Sequence, residues 1–89
     1  MYVGEKRALE ITIHDHLNQP YPPSAAVVEI FDSIGEIIDT QNCMIDENKI
    51  YVYIGTKVTG NPGEYEILWS IRRYMYKFKH KTDLLVLEL

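Results

Sequence analysis

Hydrophobic and polar residues alternate along most of this chain, with a period of two. In RALEITIH, residues 7 to 14, Leu9, Ile11 and Ile13 point one way and Glu10, Thr12 and His14 the other, which predicts a half-buried strand. KIYVYIG, residues 49 to 55, sets Ile50, Val52 and Ile54 against Tyr51 and Tyr53. EYEILWSIRR, 64 to 73, places Tyr65, Ile67, Trp69 and Ile71 on one side. In YKFKHKTDLLVLEL the shared face carries Phe78, His80, Thr82, Leu84 and Val86. AAVVEIF, 25 to 31, and EIIDTQ, 36 to 41, read as further strands, and Cys43 to Ile45 as a short one. No segment keeps a helical period over a full helix length.

The connections are written as clearly. DHLNQPYPPS holds three prolines, which fix φ and remove backbone donors, so it is a link and not a strand interior. DSIGE reads as a tight hairpin turn with Gly35 free to take positive φ. DENK is a turn, KVTGNPG a linker, and a further turn lies near Arg73 and Tyr74. Six or seven short strands at about ten-residue spacing predict a single antiparallel β-sandwich over residues 1–89.

The stretch NPGEYEILW, residues 61 to 69, carries the most specific fold signal. In immunoglobulin-like sandwiches a tyrosine near the start of strand F packs its ring inward and bonds its hydroxyl to the backbone a few residues upstream. Gly63 and Tyr65 fit that corner, and Trp69 follows as a core residue of the same strand. Ile67 occupies the slot where an antibody domain has its second cysteine, and Trp69 is on strand F where antibody domains keep theirs on strand C. An antibody-type domain is thereby excluded, and packing must hold the core.

The wider order is VGEKRALEITIHD, a proline-containing link, SAAVVEIFDSIGEIIDTQ, IDENKIYVYI, VTGNPGEYEILWSI and a last strand ending LLVLEL. This resembles the small Ig-like proteins and modules of tailed-bacteriophage virions, found around head–tail connectors, tails and capsid surfaces. The most specific motifs are D-S-x-G-E, placed in the B–C turn, and T-G-N-P-G-E-Y-x-I-x-W entering strand F. The resemblance implies a structural or adhesive role, no cofactor, and function through contact.

Composition narrows the chemistry. The 89 residues bury only about 60–65% of their unfolded surface, so the core is small. Cys43 is the single cysteine, so no disulfide within the chain is possible, and a reduced thiol is expected. The start MYVGEKRALE has no apolar run of the signal-peptide kind, and no apolar run approaches a membrane span. Seven tyrosines against two phenylalanines suit strands and surfaces that meet partners.

Charge is lopsided. Residues 72 to 81, RRYMYKFKHK, hold Arg72, Arg73, Lys77, Lys79 and Lys81, five of the nine basic residues, and no acid; the rest carries four basic residues against thirteen acidic ones. Tyr74, Tyr76 and Phe78 interleave with the bases. On a strand Lys77, Lys79 and Lys81 face one way, and Tyr76 and Phe78 the other, toward the core. Three readings are open for this hairpin: a solvated edge guarded by lysines, contact with an acidic protein surface such as a neighbouring copy, or a nucleic-acid site.

No residue set amounts to a reaction mechanism, so no enzyme, cofactor or metal is expected. The serines lack a neighbouring base, no glycine-rich phosphate loop occurs, and His14-Asp15-His16 offers two imidazoles without a third ligand. The expected function is that of a non-catalytic accessory, adaptor or decoration protein of a virion assembled in the host cytoplasm. Its partners would be other virion proteins and copies of itself. Candidate contact residues are Tyr51, Tyr53, Arg72, Arg73, Tyr74, Lys77, Lys79 and Lys81. Alternatives are an Ig-like module of a bacterial surface or secretion system that recognises protein or carbohydrate, and a nucleic-acid-binding protein using residues 72 to 81.

Overall fold

The computed structural model describes residues 1–88; Leu89, which ends the final LLVLEL stretch, lies outside them. The chain is all-β, and two antiparallel sheets pack face to face. Strands β1 (Arg7–Thr12), β4 (Met44–Asp46) and β5 (Lys49–Ile54) form a three-stranded sheet in the order β1-β5-β4. Strands β2 (Ala25–Phe31), β3 (Ile37–Asn42), β6 (Gly63–Arg73) and β7 (Tyr76–Val86) form a four-stranded sheet in the order β3-β2-β6-β7.

The alternation fills the core from both sides. The smaller sheet contributes Ile50, Val52 and Ile54, with Leu9 and Ile11 packed against them. The larger contributes Ala26, Val28 and Ile30 from β2 and Tyr65, Ile67, Trp69 and Ile71 from β6. Trp69 is 1% exposed, and its indole N–H donates to the Thr82 hydroxyl at 3.0 Å. Tyr65 is also buried, and its hydroxyl donates to the Asn61 carbonyl at 2.7 Å. Gly63, at φ 148°, turns the chain into β6 just before it, in a conformation that side chains rarely adopt.

Two connections differ from the sequence expectation. The DSIGE turn, with Gly35 at φ 90°, joins β2 to β3 inside one sheet, so it is not a B–C turn, which would cross between sheets. A tight hairpin can join only adjacent strands, and here the crossing falls to the proline link between β1 and β2. That link is pinned by Asp15, whose carboxylate accepts the N–H groups of Leu17 and Gln19 at 2.9 and 3.0 Å. The second difference is at KVTGNPG, read as a plain linker. It begins with a helical turn, α1 (Thr56–Thr59), that buries Val58 and Thr59. The Thr59 hydroxyl donates to the Glu5 carbonyl at 2.8 Å, and the Gly4 N–H donates to the Thr59 carbonyl at 2.9 Å. These bonds tie down the N-terminal segment, which also bridges in parallel from Tyr2 to Leu87.

The Tyr65 bond yields a direct test of the core. Tyr65→Phe keeps the ring and leaves the Asn61 carbonyl without its donor, so it should cost about 1–2 kcal/mol in urea denaturation. A change near zero would mean that the hydroxyl does not hold the entry to β6.

Candidate functional site

The longest feature of the surface is the β6–β7 hairpin. Each strand has 11 residues, and the register runs from Gly63↔Val86 to Arg73↔Tyr76, leaving Tyr74 and Met75 as the turn. The tip is apolar and open: Tyr74 is 79% exposed, Met75 84% and Tyr76 67%. Tyr74 holds φ 56°, a left-handed conformation that a bulky side chain seldom adopts. Its N–H donates to the Ser24 hydroxyl at 3.2 Å, and that hydroxyl donates to the Arg72 carbonyl at 3.0 Å.

The expectation that Tyr76 and Phe78 turn into the core is not met. The hairpin outruns the sandwich, so the inward face at its far end has no opposing sheet to meet. Phe78, 37% exposed, lies 6.1 Å from the Tyr21 ring, and the Arg73 guanidinium sits over that same ring at 4.3 Å. Arg73 is therefore occupied with closing the end of the sandwich, a contact worth about 0.5–1 kcal/mol at such a partly open site.

The other bases lie on the outer face of the four-stranded sheet. Register fixes their neighbours there: Arg72 opposes Lys77, Ser70 opposes Lys79, and Leu68 opposes Lys81. Further along the same face Glu66 opposes Asp83, and Glu64 opposes Leu85. On β2 the face continues with Val27, Glu29 and Phe31. One end of the face is thus basic and the other acidic. At each end two like charges sit directly opposite one another, Arg72 with Lys77 and Glu66 with Asp83. Such pairs destabilise a sheet by a few tenths of a kcal/mol or more. Among the described residues the ion pairs are Arg7–Glu5 and Lys49–Glu10, so none of these outer-face charges is neutralised within the chain.

Tyr51 and Tyr53 sit on the other sheet, and the structure does not bring them to the hairpin lysines. Tyr53 is 62% exposed, as a contact residue must be, whereas Tyr51 is half-buried within its own chain. Their rings meet edge to face at 5.9 Å, and the Lys49 ammonium lies 5.5 Å from the Tyr51 ring, which accounts for that burial. Sequence reasoning missed Met75 at the tip and the acidic end of the outer face. The signal for the latter was present: Glu64 and Glu66 alternate with Tyr65 and Ile67, and must point outward if those two point in.

His14 and His16 are exposed at the edge of the link, and Asp15 between them is committed to the turn. Among the described residues no group of three or more His, Cys, Asp or Glu could hold a metal ion, and no helix is long and apolar enough to cross a membrane. Comparison with family models, curated proteins and solved structures returned no match.

Cys43 packs half-buried against the core, and desolvation pushes its thiol up to about 11 from an ordinary value of 9.0. The folded protein therefore keeps the neutral thiol while an unfolded chain ionises. Stability should fall as pH rises from about 9 to about 11 and be unaffected by this group below that window. Iodoacetamide at pH 8.5 should modify Cys43 at least tenfold more slowly in the native protein than in urea. Equal rates would remove the burial argument.

Proposed function

We propose that this chain is a non-catalytic structural module of a tailed-phage particle, an accessory, adaptor or decoration protein that works by protein–protein contact. The observation that carries the reading is the hairpin tip. Tyr74, Met75 and Tyr76 present a large, open apolar surface at the end of a two-stranded arm, and Tyr74 is held there in a conformation that costs roughly 1–2 kcal/mol for an L-residue. A two-residue hairpin turn needs positive φ at this position, where glycine or asparagine is usual, so the turn does not account for the tyrosine. It does fix an anchor of the type that dominates protein interfaces, with little entropy left to lose on binding.

The strand order supports an immunoglobulin-like module. β1-β5-β4 corresponds to strands B, E and D, and β3-β2-β6-β7 to C′, C, F and G. Residues 1 to 4, bridged to the end of β7, stand where a strand A would lie. The Tyr65–Asn61 bond takes the place of the tyrosine corner. In this scheme the tip is the F–G loop, at the end of the sandwich where such modules commonly bind. The separation of the hairpin lysines from Tyr76 and Phe78, on opposite faces of β7, favours a protein partner over single-stranded nucleic acid, which needs charge and stacking surface together.

Tyr74→Gly separates contact from folding, because glycine accepts φ 56° without strain. The variant should be as stable as the parent or up to about 1 kcal/mol more stable in thermal denaturation. In gradient-purified phage particles encoded alongside this chain, the parent should appear at a fixed copy number and the variant should be depleted at least tenfold. Absence of the parent from such particles, or undiminished incorporation of the variant, would overturn the proposal.

A further inference from the structure

The outer face of the four-stranded sheet has an order of charge that no feature of the fold explains. From one end to the other its rows read Arg72 and Lys77; Ser70 and Lys79; Leu68 and Lys81 with Glu29; Glu66 and Asp83; then Glu64. Charge passes from positive through balanced to negative, and the balanced row lies in the middle. A face with that antisymmetry is complementary to itself when turned end for end. We infer that this face docks a second copy of the chain in that inverted orientation, so that the basic end of each copy lies over the acidic end of the other, Arg72 over Glu64 and Lys79 over Asp83.

Three observations carry the inference. First, each end holds a like-charge cross-strand pair that is unfavourable in the isolated chain, and the inverted copy brings the opposite sign to both. Second, these charges have no ion-pair partner within the chain among the described residues. Third, apolar side chains run through the middle of the face between the charges: Val27, Phe31 and Leu68 are only half-buried by their own chain. A two-fold axis running across the strands at the middle row places Leu68 against Leu68 of the second copy, as an isologous contact requires.

Size sets the strength. Five rows about 6.8 Å apart on four strands about 4.8 Å apart cover roughly 500 Å². Two such faces bury about 1,000 Å², the lower limit for a specific interface. The pair is therefore weak, reversible and salt-sensitive in isolation, and suited to reinforcement in a multi-copy assembly. The inference rests on the contact reading above only for the class of partner. It concerns a surface separate from the hairpin tip, so a monomeric chain that still enters particles would sink this inference alone.

Charge reversal with complementary rescue tests it. One variant, R72E/K77E, makes both ends of the face acidic or nearly so. The other, E64K/E66K, makes both ends basic or neutral, and its changes are confined to β6, a central strand that edge-to-edge pairing through β7 would not touch. Sedimentation velocity at about 20 mM salt should show a reversible dimer of the parent that dissociates as salt approaches about 0.5 M. Each variant, folded by circular dichroism, should self-associate at least tenfold more weakly, and an equimolar mixture of the two should recover the dimer. A parent that stays monomeric at low salt, a dimer indifferent to both reversals, or a mixture without recovery would overturn the inference.

Discussion

Burial of the inward face of β6 is the constraint on which the rest of this molecule depends. Trp69 is closed into the core and bonded to Thr82 on β7, and Tyr65, Ile67 and Ile71 flank it at every second position. A strand has a side-chain period of two, so burying those four residues forces Glu64, Glu66, Leu68, Ser70 and Arg72 outward. The ladder to β7 then fixes Lys77, Lys79, Lys81 and Asp83 beside them. A slip of one residue would bury charges and expose the tryptophan. Packing of the core thus decides which residues share the outer face, while the order of their charges is left to the sequence.

That core has no crosslink and little depth, so its margin is thin for a chain of this length. The structure compensates locally. The Tyr65 hydroxyl fastens the entry to β6, Thr59 fastens the helical turn to the N-terminal segment, and Asp15 and Asp32 each accept two backbone N–H groups in their loops. Set against these are features that weaken the isolated fold: the strained Tyr74 and two like-charge pairs across β6 and β7. They cluster on the two surfaces proposed for contact, where a trade of stability for function would place them.

Much of the fold was legible in the sequence because alternation is a local property. The faces of β1, β5 and β6 could be read residue by residue, as could the inward turn of Tyr65 behind Gly63. What could not be read depended on non-local placement. DSIGE marks a tight turn, but which sheet its strands join is decided by the pairing of β2 with β6; the chain crosses between sheets at the proline link, at Cys43 and at residues 55–62. The helical turn at 56 to 59 is too short to show a period, and its stability comes from Thr59 bonding to Glu5, 54 residues earlier. Phe78 has the spacing of a core residue, yet the opposing sheet ends before reaching it. The basic half of the outer face was visible as a run, whereas its acidic half is divided between Glu64, Glu66 and Asp83 on two strands and becomes a unit only in the ladder.

The central claim is that the outer face of the larger sheet, exposed by the burial of the opposite face of β6, is a surface for contact between copies. The most direct measurement is a concentration series of two-dimensional amide spectra on the labelled protein at low salt. The account predicts shifts with concentration at Leu68, Ser70, Lys79 and Asp83, reversed by salt, with Tyr53 on the opposite sheet unmoved. Spectra that do not change with concentration, or shifts confined to the hairpin tip or to the three-stranded sheet, would contradict it.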